Sequence, residues 1–289
     1  MDLYLLVIAL GSAILYAAGN MATRHGVQYS TPITMTYISF ATQTVILWVV
    51  VFFTGGIPEV SPLAVFLGVV VGLFMPIIRL LTYIGIAKIG SARAASLRST
   101  YPFFSGILAV SILREEINRA IIAGTILVVV GVILICCQTK DRLLPFQRMH
   151  VLFPLTAAIL AGVVHPIVRY ALEVSNSPLF FSALVGLVSL LTFLTYQALT
   201  DALQRPIWNP KGLAPFIAAG LCETFGFLLF TAALGVGPVV LVSPMIATTP
   251  MWVLLGTALI MQDVEQLNYR TVLGTCPVVA GTVAISLGK

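Results

Sequence analysis

The sequence predicts an all-α integral membrane protein: ten transmembrane helices, built as two inverted five-helix repeats around a central cavity. Three observations carry that expectation. Hydrophobic residues make up 59% of the chain and charged residues 9%, with a mean hydropathy of +1.06, whereas a soluble domain is about a quarter charged. Apolar runs of the length a bilayer demands recur along the whole chain. A pattern of Pro, Asn and Gly in the first half returns in the second at nearly constant spacing.

A helix rising 1.5 Å per residue needs roughly 20 apolar residues to cross the hydrocarbon core. Runs of that kind lie near 3–25, 33–54, 62–87, 92–113 and 119–139, then near 151–174, 178–200, 212–235, 238–261 and 269–288. Turn-forming residues punctuate them: Ser30 to Pro32, Gly55 to Pro58, Ser175 to Pro178 and Gly235 to Pro238. The longest polar stretch, Gln138 to Arg148, divides the chain into a first repeat over 1–139, a linker over 140–150 and a second repeat over 151–289.

The duplication is read from paired residues. Arg24 is answered by Arg169 at a spacing of 145, with Asn20 and His165 each four residues earlier. Pro102 is answered by Pro250 at 148, and Asn118, Gly124 and Gly131 by Asn268, Gly274 and Gly281 at 150. Glu115 is matched by Asp263 when counted from the prolines and by Glu265 when counted from the glycines. Five spans per copy is an odd number, so the two copies are expected upside down to each other. In transporters of that layout the substrate site lies where the repeats meet.

Composition excludes several other classes. The pI of about 9.2 does not signal nucleic-acid binding, because the fifteen Lys and Arg are scattered singly between apolar runs. The four cysteines lie in apolar runs with no CxxC spacing, so they read as packing residues. The chain begins Met-Asp without a positive n-region, and its first run reads as a retained span. Nine Lys and Arg fall in or near the loops after odd-numbered spans and four on the opposite side. The positive-inside rule reads that as both termini outside.

A charge near the bilayer centre costs at least about 2.5–3.5 kcal/mol and therefore faces a cavity or a partner. Glu223 lies ten residues into the eighth run, roughly 15 Å deep, and Arg79 lies past the middle of the third. The two are candidates for a central cavity, as a pair or as separate binders of a zwitterion, against a structural ion pair. His165, beside Pro166 in the sixth run, can bind a proton or a carboxylate or can be a hydrogen-bonded interior histidine. Asn20 occupies the matching place in the first run. Tyr83, Tyr101 and Trp252 are deep aromatic residues suited to lining a cavity. Pro76, Pro102, Pro166, Pro244 and Pro250 interrupt spans and are candidate gating or hinge positions. Gly68 and Gly72 form a GxxxG step for close helix packing. Asn118 and Asn268 read as N-caps, with Glu115 complementing the dipole of the helix that follows it.

No catalytic constellation accompanies these residues. There is no HExxH, GxSxG, Walker loop or acidic metal cluster, and only three histidines. Glu115, Glu116 and His150 bear a superficial likeness to signatures of prenyl-processing membrane proteases, but they fall in loops. An enzyme is not expected, nor a metal or cofactor.

Ten spans in a five-plus-five duplication resemble the drug/metabolite transporter superfamily of the EamA-domain type. Ala87 to Ala95, Pro102, Glu115, Gly124 and Gly131 carry the resemblance, repeated by Ala232 to Val242, Pro250, Asp263, Gly274 and Gly281. It implies secondary transport of small organic solutes, many of them amino acids or related metabolites exported from bacteria. It also implies a cavity among spans one, three, four, six, eight and nine, and cytoplasmic termini, opposite to the charge count. The expected function is export of a small polar or zwitterionic metabolite across the inner cell membrane by alternating access. Alternatives are an importer or facilitator of the same fold and a multidrug or cation efflux pump. The expected partners are a small-molecule substrate, a coupling proton and the lipid bilayer, with no nucleic acid, in a monomer or homodimer.

Overall fold

The computed structural model describes residues 3–116, 118–138, 148–199, 205–260, 276–277, 280–281 and 284. Among these residues the secondary structure is helical throughout. The first half holds α1 (Leu3–Gly26), α2 (Pro32–Phe53), α3 (Pro62–Ile89), α4 (Ser91–Arg98), α5 (Tyr101–Leu113) and α6 (Arg119–Gln138). After a 3-10 turn at Arg148–Val151 come α7 (Leu152–Val174), α8 (Pro178–Leu199), α9 (Pro210–Val236), α10 (Val239–Ile246) and α11 (Thr249–Ile260). Among the described residues, seven helical segments are long and apolar enough to cross a membrane. The expected count of ten is not reached among them: the fourth run is two short helices, the fifth offers only a shorter apolar helix, Arg119–Gly131, and the tenth, 269–288, lies almost wholly outside the described residues. Asp263, Glu265, Asn268 and Gly274 lie outside them as well.

Local sequence explains where the helices begin. Thr31, Ser61 and Asn209 cap α2, α3 and α9 by accepting the N–H of Thr34, Leu63 and Lys211. Each cap is followed at once by a proline, whose missing N–H costs nothing at a first helical position. Asn118 caps α6 by accepting the Ile121 N–H at 2.9 Å, as its position predicts.

The fourth and ninth runs depart from the expectation of continuous spans. Each is two helices, broken at Ser99–Thr100 and at Ala247–Thr248. Pro102 and Pro250 stand at the second position of α5 and α11, so they start new helices instead of kinking old ones. Lacking an N–H, neither can bond the carbonyl four residues back, which belongs to Arg98 or Ile246, the last residue of the preceding helix. Threonine hydroxyls close both breaks in the same way. Thr100 Oγ1 donates to the Leu97 carbonyl at 2.8 Å and Thr248 Oγ1 to the Met245 carbonyl at 2.7 Å. The two breaks are copies 148 residues apart. Pro76, Pro166 and Pro244 do lie inside their helices. The carbonyl freed by Pro76 is that of Gly72; the Ser189 hydroxyl of α8 lies 3.0 Å from it and 2.6 Å from the Val185 carbonyl of its own helix, so its one proton is shared between the two.

The halves interlock through equivalent pairs: α1 packs on α9 as α3 packs on α7, and α2 meets α8 between them. Small residues allow the approach. Gly68 faces Leu184 and Phe181, and a Cβ added at Gly72 would come within 2.6 Å of Val188 Cβ. The GxxxG step is therefore the α3–α8 contact. Gly281 of the tenth run meets the Gly124 carbonyl, 2.5 Å from where its Cβ would stand, so glycines of the two halves touch, though these two are not repeat-mates.

Glu115 behaves differently from its sequence reading. Its two carboxylate oxygens accept the N–H groups of Val239 at 2.8 Å and Val240 at 3.0 Å. These open α10, in the opposite half. The acid complements a helix dipole, but that of the second repeat's broken span and not that of α6. Arg114 just before it holds a left-handed backbone, φ 55 and ψ 33, which turns the chain to present the carboxylate.

Candidate functional site

The interlocked halves leave a cavity of about 100 Å³ at the level of the two breaks. Its walls come from equivalent places in both halves. From α1 and α7 come Tyr16, Asn20, Ala161 and His165; from α3 and α9 come Met75, Arg79, Tyr83, Glu223 and Phe227. The broken spans add Arg98 and Tyr101 on one side and Ile246 and Thr249 on the other. Six of the seven cavity candidates, Asn20, Arg79, Tyr83, Tyr101, His165 and Glu223, line this one space. Each is under a tenth exposed.

Trp252 is not among the lining residues. One turn beyond the second break, it packs against the hydrophobic cluster that includes Tyr101 and Leu254, and its indole N–H donates to Thr248 Oγ1 at 3.3 Å. Proximity to Pro250 in sequence did not place it in the cavity, because a helix turns its side chains through 100° per residue.

Arg79 and Glu223 share the cavity without forming an ion pair among the described residues; the single pair described is Arg169–Glu173, at 2.8 Å. Arg79 is held by α2 instead. Its Nη1 donates to Ser39 Oγ at 2.6 Å and its Nη2 to Gln43 Oε1 at 2.5 Å. The Phe40 ring lies 4.5 Å away, its centroid beneath the guanidinium carbon. Tyr83 donates its hydroxyl to the same Ser39 oxygen at 3.0 Å. This socket is neutral, so the charge on Arg79 is stabilised by dipoles and a ring face and remains uncompensated. Glu223 lies over Gly19 of α1, where a Cβ would come within 3.4 Å of its Cγ and Oε1. That glycine leaves room for the carboxylate.

His165 is both a bonded interior histidine and a wall of the cavity. Its Nδ1 lies 2.9 Å from Ser243 Oγ, and its ring lies 4.5 Å from that of Tyr101 and 4.6 Å from that of Phe230, centroid to centroid. Tyr101 donates its hydroxyl to the Ser243 carbonyl at 3.0 Å. Three helices of the two halves thus meet at Ser243.

Sequence reasoning missed Arg98. It ends α4 at the first break and lines the cavity, with its guanidinium 5.2 Å from the Tyr101 ring centroid. The signal available was its place four residues before Pro102. Arg24, the repeat-mate of Arg169, is buried at the end of α1, while Arg169 donates to the Leu234 carbonyl at 2.7 Å and pairs with Glu173. Neither lines the cavity. Among the described residues no cluster of His, Cys, Asp and Glu is arranged to hold a metal ion.

Two helical halves, each with a broken span, enclosing charged groups at membrane depth are the features of a multi-pass membrane transporter. The profile of the EamA-like transporter family matches residues 3–137 and again 148–287, and the chain belongs to that family. Its members are membrane transporters and not enzymes. A solved crystal structure superimposes with a TM-score of 0.79 over 99% of this chain and 98% of its own, at 14% identity. That likeness speaks for the fold alone. No curated protein matches the chain.

Proposed function

We propose that the protein is a secondary active transporter for a small zwitterionic, amino-acid-like metabolite, exporting it across the inner cell membrane with a proton as coupling ion. The observation that carries this reading is that Glu223 lines one cavity together with two guanidiniums, Arg79 and Arg98, and forms an ion pair with neither among the described residues. A zwitterion supplies both signs at once: its carboxylate meets a guanidinium, its ammonium meets Glu223. Asn20 adds an amide, and Tyr83, Tyr101 and His165 add rings with polar edges for the remainder of the solute.

The mechanism is alternating access by two inverted repeats, residues 1–139 and 151–289, rocking about the cavity. The two copied breaks, opened by Pro102 and Pro250, are the points at which a span bends without losing its bonded ends. Pro166 and Pro244 add flexibility on α7 and α10.

Uptake of individually labelled amino acids into proteoliposomes, with and without a pH gradient, tests the reading. Glu223→Gln, in protein that inserts and purifies as a single species, is expected to lower uptake by at least about tenfold, the worth of a charge-assisted bond. Wild-type uptake by that variant would remove Glu223 from the site.

A further inference from the structure

We propose that Arg98, and not Arg79, is the group that recognises the substrate's carboxylate, and that it does so at the break between α4 and α5. This rests on the reading that a zwitterion enters the cavity. The two guanidiniums facing that space are in different circumstances. Arg79 has both terminal nitrogens engaged, by Ser39 and Gln43. Its acceptors are themselves fixed, Ser39 by the Tyr83 hydroxyl and Gln43 by donation from Nε2 to the Ser182 carbonyl at 3.0 Å. Arg79 is built into a wall.

Arg98 makes no hydrogen bond among the described residues, and its Nη1 is shut away from solvent without an acceptor. A guanidinium carries five N–H donors in a planar fork, and a buried donor left without an acceptor is costly. A carboxylate satisfies that fork two bonds at a time. Tyr101 lies against the guanidinium and orients it without supplying an anion. Glu223, the one acid lining the cavity, forms no ion pair with it among the described residues, so both remain open to a ligand that bears the two charges together.

The position of Arg98 gives such binding a consequence. It is the last residue of α4, and the next helix begins with Tyr101, whose hydroxyl is bonded to the Ser243 carbonyl of α10. An anion held by Arg98 therefore sits on one break and, through Tyr101, against the broken span of the other half. The equivalent position on α10 is Ile246, so only one of the two copied breaks carries the charge.

The test crosses the substrate's carboxylate with the arginine. Uptake of each labelled amino acid is competed with the unlabelled amino acid and with its carboxamide, which lacks the carboxylate. Wild type and Arg79→Gln are expected to prefer the amino acid by about tenfold or more, and Arg98→Gln to compete equally with both. A preference that survives Arg98→Gln, or that disappears with Arg79→Gln instead, overturns the proposal. If Arg98→Gln does not purify as a folded species, Arg98→Lys keeps the charge without the fork, and an unreduced preference there has the same force. If wild type carries no amino acid, the function proposed above fails, and the site is decided separately by thiol labelling. Thr249→Cys, with the four native cysteines replaced by alanine, is treated with sulfonatoethyl and aminoethyl methanethiosulfonate. Arg98→Gln is expected to lower the anionic-to-cationic rate ratio by about tenfold; an unchanged ratio overturns the assignment.

Discussion

Glu115→Gln isolates the bond that joins the two halves at the start of α10. In the wild type both carboxylate oxygens accept backbone N–H groups, from Val239 and Val240. The residue before them, Pro238, offers no side-chain cap, so the carboxylate is the cap. Glutamine keeps one acceptor oxygen and turns an amide NH2 toward the second N–H, leaving that donor unpaired. An orphaned, part-buried donor costs about 1–3 kcal/mol, and loss of the charge at the helix N-terminus about 0.3–1 kcal/mol more. At roughly 2–4 °C per kcal/mol for a chain of this size, a loss near 2 kcal/mol lowers the unfolding midpoint by about 4–8 °C. Tryptophan fluorescence of the purified protein during heating in detergent measures it. Glu116→Gln is the control, because that side chain is exposed, and its midpoint should stay within about 1 °C of wild type. Equal midpoints for the two variants would refute the capping argument.

Three smaller changes probe packing in the same assay. Gly72→Leu places a side chain where even a Cβ would stand 2.6 Å from Val188 Cβ; α3 and α8 must separate, and little folded protein should be recovered by size-exclusion chromatography. Gly106→Ala, in α5 with no heavy atom within 4 Å of the added Cβ, should raise stability by about 0.5–1 kcal/mol through helix propensity; a lower midpoint would show that the glycine is needed there. Ser189→Ala removes the hydroxyl shared between the carbonyl freed by Pro76 and that of Val185 and should cost about 1 kcal/mol; an unchanged midpoint would mean that the hydroxyl contributes nothing.

Much of the fold is legible in the chain because insertion into lipid is decided almost residue by residue. Apolar length marks the spans, and a charge or a polar group stands out wherever it interrupts one. That cost drew attention to Asn20, Arg79, His165 and Glu223, all of which line the cavity. Caps are equally local: Asn118 three residues before an N–H, or Ser61 before Pro62, can be read from spacing alone. Arg98 escaped because it lies only six residues into its run, near enough to a loop to look harmless. The break that carries it inward is visible only once the span is seen to be two helices.

The sequence by itself determined the medium, most of the apolar segments, the duplication and most of the polar groups that lipid would not tolerate. Only the tertiary structure decided which of them meet. It set Arg79 in a neutral socket on α2, left Glu223 beside Gly19, turned Trp252 out of the cavity and sent Glu115 to cap a helix 124 residues away. The physical reason is that burial and helix formation depend on neighbours in sequence. A hydrogen bond or an unpaired charge depends instead on which side chains packing brings within about 3 Å, and the two copies, alike in scaffold, differ at those positions.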